Sequence, residues 1–146
     1  MSLNKPTKKD IIFLFDNVWP AMNGAAIHRE GCLKQIDRII ELFNKYKTDP
    51  DQLIISLLSL DNVGLVVASG LIYSANRKSM VPFDKYTTGY AIQLGIINNN
   101  RIVREGNYTQ ASKRVLDYIE NNPSMKNIRD FVLRAREDTH YPISPE

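Results

Sequence analysis

The sequence predicts an all-α fold, a compact bundle of about seven helices in one domain spanning residues 1–146. Three observations carry that expectation. Apolar residues recur at helical spacing in segment after segment. Turn residues (Pro, Gly, Asn and Asp) punctuate the chain between those segments. The 146 residues are 43% hydrophobic and 24% charged, an ordinary mixture for one domain that buries its own core. No repeat, low-complexity stretch or linker interrupts the pattern.

Residues 8–19, KKDIIFLFDNVW, have the spacing of a short amphipathic helix, closed by Pro20 and Gly24. Over residues 28–47, Leu33, Ile36, Ile40 and Phe43 fall on one face, with Lys34, Asp37, Arg38 and Glu41 opposite. Asp49 is a favoured N-cap and Pro50 a favoured first helical residue, so 51–60 is the next helix. Residues 65–76, LVVASGLIYSAN, are apolar on nearly every side, which suits a helix at the centre of the fold. The β-branched run there also permits a strand. Residues 85–96 place Tyr86, Tyr90 and Leu94 in register. Residues 107–121 do the same with Tyr108, Ala111, Val115, Tyr118 and Ile119. NNPS breaks that helix, Ser124 is a candidate cap, and 125–137 follows with Ile128, Phe131, Val132 and Ala135. The tail, 138–146, carries two prolines and reads as irregular.

Composition also excludes function classes. Cys32 is the single cysteine, so an internal disulfide, a multi-cysteine zinc site and a cysteine-ligated iron–sulfur cluster are ruled out. A reducing, cytoplasmic setting is the expectation. No stretch reaches the roughly 20 apolar residues of a membrane-spanning helix, and the start lacks the apolar core of a secretory signal. His28 and His140 stand too far apart to share a helix as metal ligands, and no phosphate-binding glycine loop or nucleophile elbow is present. No cofactor is expected. The net charge of +3 permits a nucleic-acid partner without specifying one.

The stretch between the two central helices is more specific. In Asp61-Asn62-Val63-Gly64, Gly64 is expected to take a backbone conformation closed to other residues, and Asn62 tolerates left-handed geometry. Such a turn presents backbone amides at the start of the following helix, where an anion binds. A plain helix–helix corner is the structural alternative. LDNVGLVVA, residues 60–68, resembles the helix-hairpin-helix signature L-P-G-V-G-x-K-T-A through Leu60, Val63, Gly64 and Ala68; Asp61 replaces the Pro and Asn62 the first Gly. VPFDKY then sets Asp84 at the spacing of the catalytic aspartate in the endonuclease III-like superfamily of DNA glycosylases, and IHREGCLKQIDRIIELF resembles the family helix before the hairpin. The resemblance covers residues 25 to 97.

That resemblance implies a helix-hairpin-helix motif over about 51–76 and a partner in duplex DNA, damaged or intact. It implies contacts through Asn62, Val63, Gly64, Leu65 and Lys85, and a catalytic carboxylate at Asp84. Tyr73, Tyr86 and Tyr90 become candidates for the substrate pocket, each otherwise a core residue at helical spacing. The backbone carbonyls of Leu58, Leu60 and Val63 would hold a monovalent cation. NRKS, 76–79, could touch phosphates or simply be solvated surface. The departures are equally specific. Val66 stands where bifunctional members carry the nucleophilic lysine, Tyr86 where a histidine is frequent, and Gly89 where an arginine is. The helices that precede this region in family members are reduced to about 25 residues.

The expected function is DNA binding linked to base-excision repair, with monofunctional glycosylase chemistry through Asp84. A cationic, sugar-like transition state is stabilised by a nearby carboxylate once the base has left the stack. Without the resemblance, Asp84 reads as the N-cap of the helix after it. Two alternatives stand: a non-catalytic DNA-binding or damage-sensing module, and a protein-interaction bundle that does not bind DNA.

Overall fold

The computed structural model describes residues 2–22 and 24–146, and the elements among them are all helical: α1 (Lys8–Phe13), a π-helical segment (Leu14–Val18), α2 (Ala25–Lys34), α3 (Ile36–Lys45), α4 (Pro50–Leu57), α5 (Leu65–Ala75), α6 (Lys85–Gln93), α7 (Tyr108–Glu120) and α8 (Ile128–Asp138). The all-α expectation holds, with eight α-helices in place of about seven.

The N-terminal element starts as read. Thr7 and Asp10 form a reciprocal capping box. The helix then widens, and Trp19 N–H reaches back to the Leu14 carbonyl at 2.9 Å, a bond that spans five residues. That extra residue per turn was not expected over 8–19. It leaves the Trp19 indole against α5, where a Cβ on Gly70 would run into the ring.

The single helix expected over 28–47 is two helices. Gln35 leaves helical geometry (φ −114°, ψ 26°), and its side-chain amide donates to the Asp61 carbonyl at 2.6 Å. The apolar register runs through the break, so the local pattern conceals it. The joint is held by a bond to the turn between α4 and α5, far away in sequence.

Helix α5 is the centre. Every residue from Val67 to Ser74 is buried, as expected of a helix apolar all round. It packs against α1, the π-helical segment and α4, while α7 bridges α4 to α8 and α8 lies along α6. Asp49 caps α4 through Gln52 N–H at 3.1 Å with Pro50 inside the first turn, as read from the sequence. Helix α4 ends earlier than expected, at Leu57, and α8 begins later, at Ile128. Its cap is Asn127, not Ser124, because Asn127 Oδ1 accepts Asp130 N–H at 2.9 Å.

The tail is irregular, as expected, but it is fastened. Thr139 Oγ1 donates to the Tyr86 carbonyl at 2.9 Å, Ile143 N–H donates to the Lys85 carbonyl at 2.9 Å, and Glu146 N–H donates to the Asn100 carbonyl at 2.8 Å. Each of these bonds runs between the tail and a segment more than forty residues earlier in the chain. No helix among the described residues is long and apolar enough to cross a membrane.

Candidate functional site

Residues 58–64 join α4 to α5, and their geometry corrects one expectation. Gly64 is extended (φ −93°, ψ −173°), a conformation open to any residue. The left-handed residue is Asn62, at φ 60°. A Cβ on Gly64 would meet nothing within 4 Å, so its smallness keeps the surface open and the backbone does not demand it.

Helix α2 braces this turn. His28 Nδ1 lies 3.0 Å from the Asn62 carbonyl, and since a carbonyl only accepts, that nitrogen carries the proton. Gln35 holds the Asp61 carbonyl, and Gly31 packs on the Asn62 side chain. No side chain caps α5, so the amides of its first turn have no intrahelical partner and aim outward. Asn62 and Gly64 are exposed, Leu65 is half-buried, and Val63 is buried in the core. Among the described residues, the Leu58 and Val63 carbonyls accept no backbone hydrogen bond, and the Leu60 carbonyl accepts only a long one, from Val63 N–H at 3.4 Å.

Asp84 is positioned by the loop before it. Met80, Val81, Pro82 and Phe83 are all buried, so their backbone groups need partners inside the protein. Ser69 Oγ accepts Phe83 N–H at 2.8 Å, Ser112 Oγ accepts Val81 N–H at 3.2 Å, and Tyr108 donates its hydroxyl to the Val81 carbonyl at 3.0 Å. Burial drives the Tyr108 pKa far above the usual phenol range, which keeps that donor protonated. Asp84 then caps α6: its Oδ1 accepts Thr87 N–H at 2.7 Å. The capping role read from the sequence is therefore present.

Asp84 is only 8% exposed, yet it borders an open cleft of about 520 Å³. Val66 enters that cleft from α5, while Lys85 and Tyr86 enter from the start of α6. Trp19, Met22, Arg136 and Ser144 complete the lining. Lys85 Nζ stands 5.1 Å from the centre of the Tyr86 ring. The cleft thus unites Asp84, Lys85, Tyr86 and Val66, the position where the resemblance noted in the sequence would place a lysine. The exposed part of the turn, Asn62 and Gly64, lies outside its lining. A second hollow of about 520 Å³ lies over α7 between Asp51 and Lys113, and none of the sequence-predicted residues lines it.

The other predicted residues go elsewhere. Tyr73 and Tyr90 are core residues and do not line the cleft; burial raises both phenol pKa values. Tyr90 packs against Phe131, ring centres 5.4 Å apart. Arg77, in the basic loop, bonds to Asp10 at 3.3 Å and lies 3.7 Å over the Phe13 ring, so it holds α1 in place. Cys32 is buried, which pushes its thiol up to about 11 and leaves it unreactive near neutral pH. Gly89 lies under the tail, where a Cβ would run into the Tyr141 carbonyl. No group of three or more potential side-chain metal ligands occurs among the described residues.

Sequence reasoning missed Trp19, Met22, Arg136 and Ser144. They come from the two ends of the chain, and no local motif links them to Asp84. Compared with family models, with curated proteins and with solved structures, the chain matches none.

Proposed function

We propose that the chain is a cytoplasmic DNA-binding protein resembling the core of a base-excision-repair DNA glycosylase, with monofunctional base release through Asp84. The observation that carries this reading is the shared cleft: Asp84 and Val66, far apart in sequence, border one opening as the aspartate and lysine positions of the resemblance require. The uncapped start of α5 gives the neighbouring surface amides suited to backbone phosphate. Base release breaks the bond from the sugar anomeric carbon to the base. The bonding pair leaves with the base, and positive charge develops on the sugar beside the Asp84 carboxylate. Water then adds to that carbon, and its proton passes to the departed base, which left with the bonding pair. Val66 cannot form a Schiff base, so no lyase step through that position follows.

A second reading is supported by the Thr87 bond. A 2.7 Å cap accounts for Asp84 without chemistry, leaving a DNA-binding module. Asp84→Asn separates the two. Asn caps nearly as well but carries no negative charge, so melting and DNA binding should stay near wild type while base release from damaged duplexes is lost. Equal release rates in both proteins would reduce Asp84 to a cap. Absence of DNA binding by the wild type at low salt would remove both readings in favour of a protein-interaction bundle, because phosphate contacts release counterions and strengthen as salt falls.

A further inference from the structure

Three polar groups of residues that line the Asp84 cleft have no hydrogen-bond or ion-pair partner among the described residues. Arg136 stands in the last turn of α8, and its Nε is buried without a hydrogen-bond acceptor. The Trp19 indole, 1% exposed, has an Nε1–H in the same state. Lys85 makes no ion pair among the described residues, and neither does Arg136; the pairs formed join Arg29 to Asp16, Arg77 to Asp10, Arg104 to Glu146 and Arg134 to Asp138. Asp84 does not consume these cations, since the hydrogen bond its carboxylate accepts comes from Thr87 N–H.

Burying donors without acceptors is unfavourable. Both donors belong to residues that line one cleft, and the unpaired Lys85 lines it as well, which indicates the kind of group that would answer them there. That group is an acceptor with several oxygens and negative charge. A guanidinium meets such a group with parallel N–H bonds, and the indole and ammonium can take further oxygens of the same group.

We propose that the Arg136 side of the cleft is a phosphate subsite, with Arg136 as its principal contact and Lys85 and the Trp19 indole N–H completing it. The wall of Met22, Val66 and Tyr86 beside it accepts an apolar or flat group attached to that phosphate. The volume of about 520 Å³ lies within the range of small-molecule sites. A phosphorylated nucleoside unit has this chemistry. It can come from a DNA strand or from a free nucleotide, and the proposal rests on the DNA reading only for that choice of source.

Trp19 is the only tryptophan, so its emission reports on the subsite directly. The full chain is titrated with inorganic phosphate, with a deoxynucleoside 5′-monophosphate and with a duplex carrying an abasic site. Both fluorescence and calorimetry are read. At least one probe should bind saturably, and Arg136→Gln should weaken it tenfold or more. Lys113→Gln, on α7 away from the cleft, should change the affinity less than twofold. Helical circular dichroism and melting establish that each variant is folded, and Lys85→Gln provides an independent second variant. No saturable binding of any probe, or equal affinity in wild type and Arg136→Gln, overturns the subsite. Binding by the duplex alone, dependent on Arg136, supports it with strand phosphate as the source. Arg136-dependent binding of phosphate or nucleotide without duplex binding supports the subsite and removes the DNA reading. Duplex binding indifferent to both substitutions overturns the subsite and leaves the DNA reading standing.

Discussion

The first turn of α5 has Gly64 at its cap, exposed and offering no side-chain acceptor, whereas the first turn of α6 has Asp84, buried, with its carboxylate 2.7 Å from Thr87 N–H. Both helix starts carry the same unsatisfied amides and the same positive end of a dipole. At α6 the chain answers with its own carboxylate. That carboxylate occupies the Thr87 amide, so this helix end does not offer it to an external anion. At α5 the amides stay free, which favours an external anion. The two ends meet across one cleft, where Val66 and Asp84 both line it. A helix start left uncapped gives up the stability that a side-chain cap would add.

The largest test of this contrast concerns what supports the α6 end. Gly89→Ala places a Cβ against the Tyr141 carbonyl and 3.0 Å from Thr139 Cγ2. The tail is tied to Tyr86 and Lys85 by hydrogen bonds, so it cannot move away freely. Chemical denaturation should show a loss of about 1–3 kcal/mol, as for other overpacked sites. Next comes the cap. Asp84→Ala should cost about 1 kcal/mol in the same assay, while Asp84→Asn should stay within a few tenths. Equal losses from the two would mean that charge, not capping, is what Asp84 contributes to stability.

The smallest effect would be the most telling. Gly64 has the extended backbone of an N-cap and open space for a side chain. Gly64→Asp should therefore stabilise the fold by a few tenths of a kcal/mol. It should also weaken DNA binding across many sequences about equally, by occupying the amides and adding negative charge. A stabilised variant with undiminished DNA binding would show that the α5 start is not the phosphate contact.

Legibility in the sequence followed the range of the interactions concerned. The Asp49–Pro50 start of α4, the all-round burial of α5 and the cap at Asp84 are set by neighbours in sequence, and each could be read from the residues alone. The break at Gln35 could not. Leu33, Ile36, Ile40 and Phe43 keep helical spacing through it, and the bond that fixes it goes to Asp61. A special backbone was expected at Gly64 and tolerance of left-handed geometry at Asn62; only the second is used, since Gly64 is extended. Asn62 takes the left-handed geometry with its carbonyl held by His28. Asp84 was named from its spacing after the hairpin, and Lys85 and Tyr86 from their place beside it in the sequence. Arg136 and Trp19 complete the same cleft from elements that periodicity describes only as core helices.

Bonds from the tail to α6 give the cleft a place in time as well as in space. Vectorial synthesis delivers α4, the turn and α5 well before α8, and contacts of short sequence separation close first. The brace from α2 to the turn spans 34 residues between His28 and Asn62, so it can form while the rest of the chain is still unmade. Arg136 and Ser144 arrive last. Ile143 can bond to Lys85 only once that later segment has been made. A nascent chain can therefore hold the braced turn while Arg136 and Ser144, which complete the lining of the Asp84 cleft, are still to be made.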